Sequence, residues 1–231
     1  MSLLPAVTLD TGPNPTASII WLHGLGADGN DFASMASELD LDGCGAVRFV
    51  FPHASMIPIT LYNAYPMRAW FDLLSDERPR PDDLPNLAIN QAHIEALIAH
   101  EKARGVPASR IVLAGFSQGC VMALHTALRH PQALAGIMCL SGWLACADKL
   151  AEQRSPANQA TPIFWGHGEY DNVVPLQSGI AARTALSQLG YQVQWHQYFT
   201  EHAVCDPEIL DIGTWLRKVL AKEATTGPTE P

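Results

Sequence analysis

Ser117 sits between two glycines, each two residues away, in Gly115-Phe116-Ser117-Gln118-Gly119. That spacing suits covalent chemistry at a hydroxyl. An apolar, β-prone run (110–114) precedes it and a helix-like stretch starts at Gln118. A strand turning sharply into a helix forms a nucleophile elbow, with the serine strained and its hydroxyl exposed. Backbone N–H groups at the helix start then lie where an oxyanion would form. Close packing at such a turn leaves no room for Cβ atoms at the flanking positions, which calls for glycine. A five-residue pattern also recurs by chance, so the rest of the chain must supply a base and a group to orient it.

The order expected of an α/β hydrolase is Ser, then Asp or Glu, then His. Asp171 follows a strand candidate and the turn Gly166-His167-Gly168, and His202 follows the last strand candidate. The order fits. His23 and His53 precede the serine, His125 and His130 fall on the helix behind it, and His196 lies inside a strand as a half-buried structural residue. His167 competes more seriously, but it shares a loop with Asp171 and is better suited to bracing that turn. Asp206 and Asp211 fall at or in the last helix, where capping and solvation explain them. The expected triad is Ser117, His202 as general base, and Asp171 to fix the imidazole tautomer. An acyl-enzyme on Ser117 would form and be hydrolysed by water, with no metal or cofactor. Two N–H donors complete an oxyanion hole: Gln118, after the nucleophile, and one from the turn His23-Gly24-Leu25-Gly26. Leu25 is chosen there, although spacing alone does not fix the register.

These residues need strands to carry them. Strands are expected at 6–10, 17–22, 47–51, 110–116, 136–140, 162–165 and 192–199, and helices at about 31–39, 86–104, 118–130, 177–189 and 206–222. The stretch 52–84 reads as irregular, and 223–231 as a disordered tail. The alternation implies an α/β fold with a mostly parallel central sheet and helices on both faces. With 231 residues and 48% hydrophobic content, one domain over 1–222 is expected.

A formal net charge of −9 argues against nucleic acid or an anionic membrane surface as the main partner. No Lys or Arg precedes Arg48, the longest apolar-looking run (133–147) is broken by Gly136, Ser141 and Gly142, and residue 2 is Ser. Signal peptide, stable membrane insertion and N-myristoylation are therefore not expected. Five cysteines without a C-x-x-C pair or metal spacing suit reduced thiols in the cytoplasm.

Together, His23-Gly24-Leu25-Gly26-Ala27-Asp28-Gly29, Trp70-Phe71-Asp72, the elbow, His167-Gly168 with Asp171 and Val174-Pro175, and His202 resemble the phospholipase/carboxylesterase family of α/β hydrolases. That family includes acyl-protein thioesterases and bacterial carboxylesterases. The resemblance spans roughly 18–216. It implies the triad Ser117, Asp171 and His202, the Leu25 and Gln118 oxyanion hole, and a flexible loop at about 55–84 beside an acyl groove. Two departures stand out: Cys120 where the family usually has a second glycine, and Tyr62-Asn63-Ala64 where it often has Asn-Gly-Gly. The expected activity is hydrolysis of small-molecule carboxylic esters or thioesters with short-to-medium acyl chains, with Leu73, Trp143 and Val173 as substrate-binding candidates. Acylated proteins and lysophospholipids are alternative substrates, and a homodimer is left open. A non-catalytic binder on a hydrolase scaffold would not need all three triad groups. A cysteine hydrolase is excluded because serine holds the elbow tip.

Overall fold

The computed structural model describes residues 3–77 and 80–221. In chain order the elements are β1 (Ala6–Asp10), β2 (Ala17–Leu22), β3 (Val47–Pro52), β4 (Met56–Ile59), β5 (Tyr65–Arg68), α1 (Leu84–Ala103), β6 (Ile111–Phe116) and α2 (Gln118–Ala127). They continue with β7 (Gly136–Leu140), α3 (Ala147–Gln153), β8 (Ile163–Gly168), α4 (Leu176–Gln188), β9 (Val193–Tyr198) and α5 (Asp206–Val219). The tail expected at 223–231 lies outside the described residues.

Seven strands form one sheet in the order β1-β3-β2-β6-β7-β8-β9, parallel except for the antiparallel edge strand β1. The inner strands are apolar on both faces because both are covered. Ile20, Leu22, Ile111 and Leu113 pack toward α1, α2, α3 and α4, whereas Ile19, Trp21, Val112 and Ala114 pack toward α5 and the segment 32–44. All ten residues of α2 are buried, so this helix is apolar nearly all round. The strand order reverses between β2 and β6, where Leu22 pairs with Gly115. A crevice opens at such a switch point beyond the carboxyl ends of the strands.

Three expectations need correction. The helix at 31–39 is a run of turns with one 3-10 turn, Ser34–Ser37. Its backbone bonds span three residues, Ser37 Oγ caps the Ser34 carbonyl, and a Cβ on Gly29 would collide with the Phe51 carbonyl. Close docking on β3 thus overrides helix propensity. Within 52–84, β4 and β5 form an antiparallel hairpin, its turn made by Asn63 and Ala64 at φ 54° and 59°. Alanine in that left-handed conformation is strained, and the hairpin holds it there. Finally, the short α3 was not expected from the sequence.

Helix α5 buries Ile212, Trp215 and Leu216, a one-sided stripe at helical spacing. Glu208 in its first turn is buried as well, and faces the Cys205 N–H without reaching hydrogen-bond geometry. A Cβ on Gly166 of β8 would strike its carboxyl. Burial pushes the Glu208 carboxyl up to about 8. Between its ordinary value of 4.5 and about 8, the unfolded chain loses this proton and the folded one keeps it, so stability falls as pH rises. Glu208→Gln removes that decline. Its melting temperature relative to the parent should rise between pH 5 and pH 8, by on the order of 1–3 kcal/mol of stability. A constant difference would contradict a buried protonated carboxyl.

Candidate active site

Ser117 links β6 to α2 with φ 54° and ψ −118°, a conformation costly for any residue but glycine. Its N–H donates to the Leu140 carbonyl at 2.8 Å, tying the turn to β7. A Cβ on Gly115 would strike the Gly119 backbone, and one on Gly119 would strike the Leu22 and His23 carbonyls. Both glycines are therefore required by close approach. A Cβ on Gly24 would lie 3.5 Å from that of Ser117, so the turn after β2 rests directly against the elbow.

The loops after β8 and β9 are zipped together. Glu169 N–H donates to Tyr198 and Tyr170 N–H to Thr200, at 2.9 and 3.0 Å, and Gly168 is pressed against the Thr200 and Glu201 carbonyls. This brings His202 Nδ1 to 2.6 Å from Asp171 Oδ2. The carboxylate only accepts, so Nδ1 carries the proton and Nε2 presents a lone pair. The His202 ring packs on Phe116, the residue before the elbow serine, with ring centres 4.6 Å apart. Asp171 Oδ1 accepts the N–H groups of Val173 and Val174, at 3.0 and 2.7 Å. Burial alone would raise the Asp171 carboxyl, but the hydrogen bonds from His202, Val174 and Val173 outweigh it and hold the pKa below its ordinary value.

His167 donates from Nε2 to the Val174 carbonyl at 2.9 Å, while Trp165 Nε1–H approaches its Nδ1 at 3.4 Å. It braces the Asp171 turn and has no nitrogen facing a substrate. Burial lowers its pKa, keeping the ring neutral.

Around Leu25, the Gly26 and Ala27 amides are engaged with the Arg68 and Gly24 carbonyls, but no described residue accepts the Leu25 N–H. Gln118 N–H opens α2, where amides lack intrahelical partners. Its side chain does something spacing could not reveal: Oε1 accepts from Trp70 N–H at 2.7 Å and Nε2 donates to the Phe71 carbonyl at 2.6 Å. The elbow is thereby clamped to the Trp70-Phe71-Asp72 segment.

Cys120 is fully buried beneath the β7 loop, and a Cβ on Gly142 would collide with its Sγ. The thiol occupies space here that a glycine would leave open. Cys120→Gly should leave hydrolysis within about tenfold, roughly 1.4 kcal/mol in the barrier, while lowering the melting temperature. A loss matching that of Ser117→Ala would give Cys120 a chemical role.

Of the substrate-binding candidates, Trp143 lines a cavity of about 640 Å³ with Leu144, Cys146, Ala181, Ala182 and Ala185, joined by Arg80, Asp82 and Asp148. Trp143 meets the Phe71 ring edge-on at 5.9 Å and follows Gly142, where a Cβ would lie 3.2 Å from the Ser117 carbonyl. Leu73 is only 7% exposed and belongs to the core, and Val173 is 53% exposed and outside this cavity. Neither residue lines this cavity. A further cavity of about 520 Å³, bounded by Asp10, Arg48, Glu101 and Arg104, is charged and sits at the opposite ends of the strands.

A mostly parallel sheet with a serine elbow at its switch point and a hydrogen-bonded Asp–His pair in the loops after β8 and β9 defines an α/β hydrolase. Residues 6–220 match the phospholipase/carboxylesterase family, and the chain belongs to that family. It is 35% identical over 220 residues to acyl-protein thioesterase 1 of Yarrowia lipolytica, covering 93% of this chain and 96% of the relative. It is 36% identical over 231 residues to acyl-protein thioesterase 1 of Neurospora crassa, covering 96% and 92%. Among solved structures, Zea mays acyl-protein thioesterase 2 superposes with a TM-score of 0.82 at 28% identity, covering 94% of this chain and 100% of the other. Arabidopsis thaliana SOBER1 gives 0.84 at 28% identity, covering 88% and 99%. The chain is a serine hydrolase of the ester and thioester class. No helix among the described residues is long and apolar enough to cross a membrane, and no group of three or more metal-ligating side chains is found among them.

Proposed function

We propose that Ser117, His202 and Asp171 form the catalytic triad, with Leu25 and Gln118 N–H groups as the oxyanion hole, in hydrolysis of acyl esters and thioesters. The observation that carries this reading is the 2.6 Å bond from His202 Nδ1 to Asp171. It directs the basic Nε2 away from the carboxylate in a ring packed beside the elbow. Ser117 Oγ attacks the acyl carbon as His202 takes its proton. The tetrahedral oxyanion collapses, the alkoxide or thiolate leaves with that proton, and water repeats the sequence on the acyl-enzyme.

The relatives' names point to acylated proteins as one substrate class. The five free cysteines, four of them buried, suit a reducing cytoplasm. The apolar side chains of Trp143, Leu144, Ala181, Ala182 and Ala185 around the cavity support a short-to-medium aliphatic acyl chain as substrate. Each buried CH₂ contributes roughly 0.8 kcal/mol, so kcat/KM should climb stepwise with acyl length and then plateau. The test uses p-nitrophenyl esters and acyl-thioesters from about two to sixteen carbons, with lysophospholipids and a matched amide in parallel; the range brackets what a groove of this volume can hold. Rates indifferent to length, or faster on the amide, would remove the acyl groove from this reading.

A further inference from the structure

His23 follows β2 and is nearly inaccessible to solvent, at 2% exposure. Both ring nitrogens are used. Nδ1 lies 2.7 Å from the Gly24 carbonyl, and Nε2 lies 3.0 Å from the Ala54 N–H. A carbonyl can only accept and an amide N–H can only donate, so the ring is the neutral Nδ1–H tautomer. Burial, which lowers the His23 pKa, favours the same neutral form. No lone pair remains for acid–base work.

We propose that His23 is a positioning residue that fixes the Gly24–Leu25 peptide plane and so aims the Leu25 N–H as an oxyanion donor. This rests on the reading of Leu25 given above. The reason is geometric. The Gly24 C=O and the Leu25 N–H belong to one planar trans peptide and point in opposite directions. Holding the carbonyl against the ring therefore turns the N–H away from it. Gly24 has no side chain to restrain that plane, and Ala27 N–H reaches the same carbonyl only at 3.3 Å. Donation to a carbonyl also polarises its peptide, strengthening the N–H as a donor.

The ring is itself fixed. Trp70 Nε1–H donates to the His23 carbonyl at 2.9 Å, and the two rings lie 5.2 Å apart. Trp70 is anchored in turn by the Gln118 side chain through its N–H and by Asn90 Nδ2 through its carbonyl, at 2.7 and 2.6 Å. One hydrogen-bonded chain thus joins the two peptides that carry the oxyanion donors.

The test separates the two ring contacts. An asparagine amide nitrogen falls near the Nδ1 position, whereas a glutamine amide oxygen falls near Nε2. His23→Asn can keep the Gly24 bond and lose Ala54, and His23→Gln does the reverse. We expect His23→Gln to lose kcat on the order of 10²-fold, as for loss of an oxyanion donor, with KM little changed. Its Ki for an alkyl trifluoromethyl ketone, which forms a tetrahedral adduct on serine, should rise in proportion. His23→Asn should stay within about tenfold of the parent, whatever its melting temperature. Equal losses in the two, or losses that follow melting temperature, would overturn the proposal. If neither variant folds, ¹⁵N spectra of the parent decide: an Nδ1–H ring that does not titrate supports it, and an Nε2–H ring overturns it. The Leu25 amide proton of the parent is followed separately on ketone binding. No shift there refutes the Leu25 donor itself, and with it this role for His23.

Discussion

Replacing Ser117 with alanine is expected to lower kcat/KM by on the order of 10⁴- to 10⁶-fold for any ester the protein accepts. The residual rate would come from the oxyanion donors and substrate binding alone. The fold should survive, because the substitution removes one small polar atom and keeps the turn anchored through the N–H bond to Leu140. The strain at φ 54° remains with alanine but not with glycine. Ser117→Gly should therefore be equally inactive and more stable than Ser117→Ala, by about 1 kcal/mol. Retention of activity in both would remove Ser117 from the chemistry. Equal stability would mean that the elbow is not strained.

Asp171→Asn is expected to cost on the order of 10⁴-fold in kcat with little change in structure. The Asn Oδ1 can still accept from Val173 and Val174, which hold the turn. Its amide, however, presents N–H to His202 Nδ1, which must then accept. The ring proton moves to Nε2, and no lone pair remains for the serine proton. Circular dichroism unchanged beside a collapsed kcat would identify a tautomer effect. The depressed Asp171 pKa has a stability consequence of its own. A carboxyl with a lowered folded pKa contributes stability that is present above its unfolded value and is lost as pH falls through the folded one. Asp171→Asn should accordingly show its largest destabilisation at neutral pH, shrinking as the parent is acidified below the ordinary carboxylate range. A destabilisation independent of pH would contradict that hydrogen-bonded carboxylate.

The strands were legible because buried parallel strands read as short continuous apolar runs, and Ala17–Leu22 and Gly136–Leu140 fall where the sequence puts them. The segment 31–39 was not, because docking on β3 rather than local propensity decides its backbone. The β4–β5 hairpin was hidden by a turn with alanine at a position usually held by glycine. In the site, Asp171 and His202 could be chosen because each follows a strand and their order suits the serine. The groove was harder: apolar residues at strand ends can be core, as Leu73 is, or exposed, as Val173 is. Sequence does not carry side-chain direction there. The clamp by the Gln118 side chain and the bond from the Ala54 N–H to His23 Nε2 were invisible for a related reason, since their partners lie 31 to 48 positions away.

Covalent capture shows which residue is the nucleophile. The protein is treated with an alkyl fluorophosphonate, digested, and mapped by tandem mass spectrometry, with and without a competing acyl ester. A single phosphonyl adduct on Ser117, suppressed by the ester and absent from Ser117→Ala, is the predicted result. An adduct on another residue that persists in Ser117→Ala and tracks the loss of hydrolysis would contradict it.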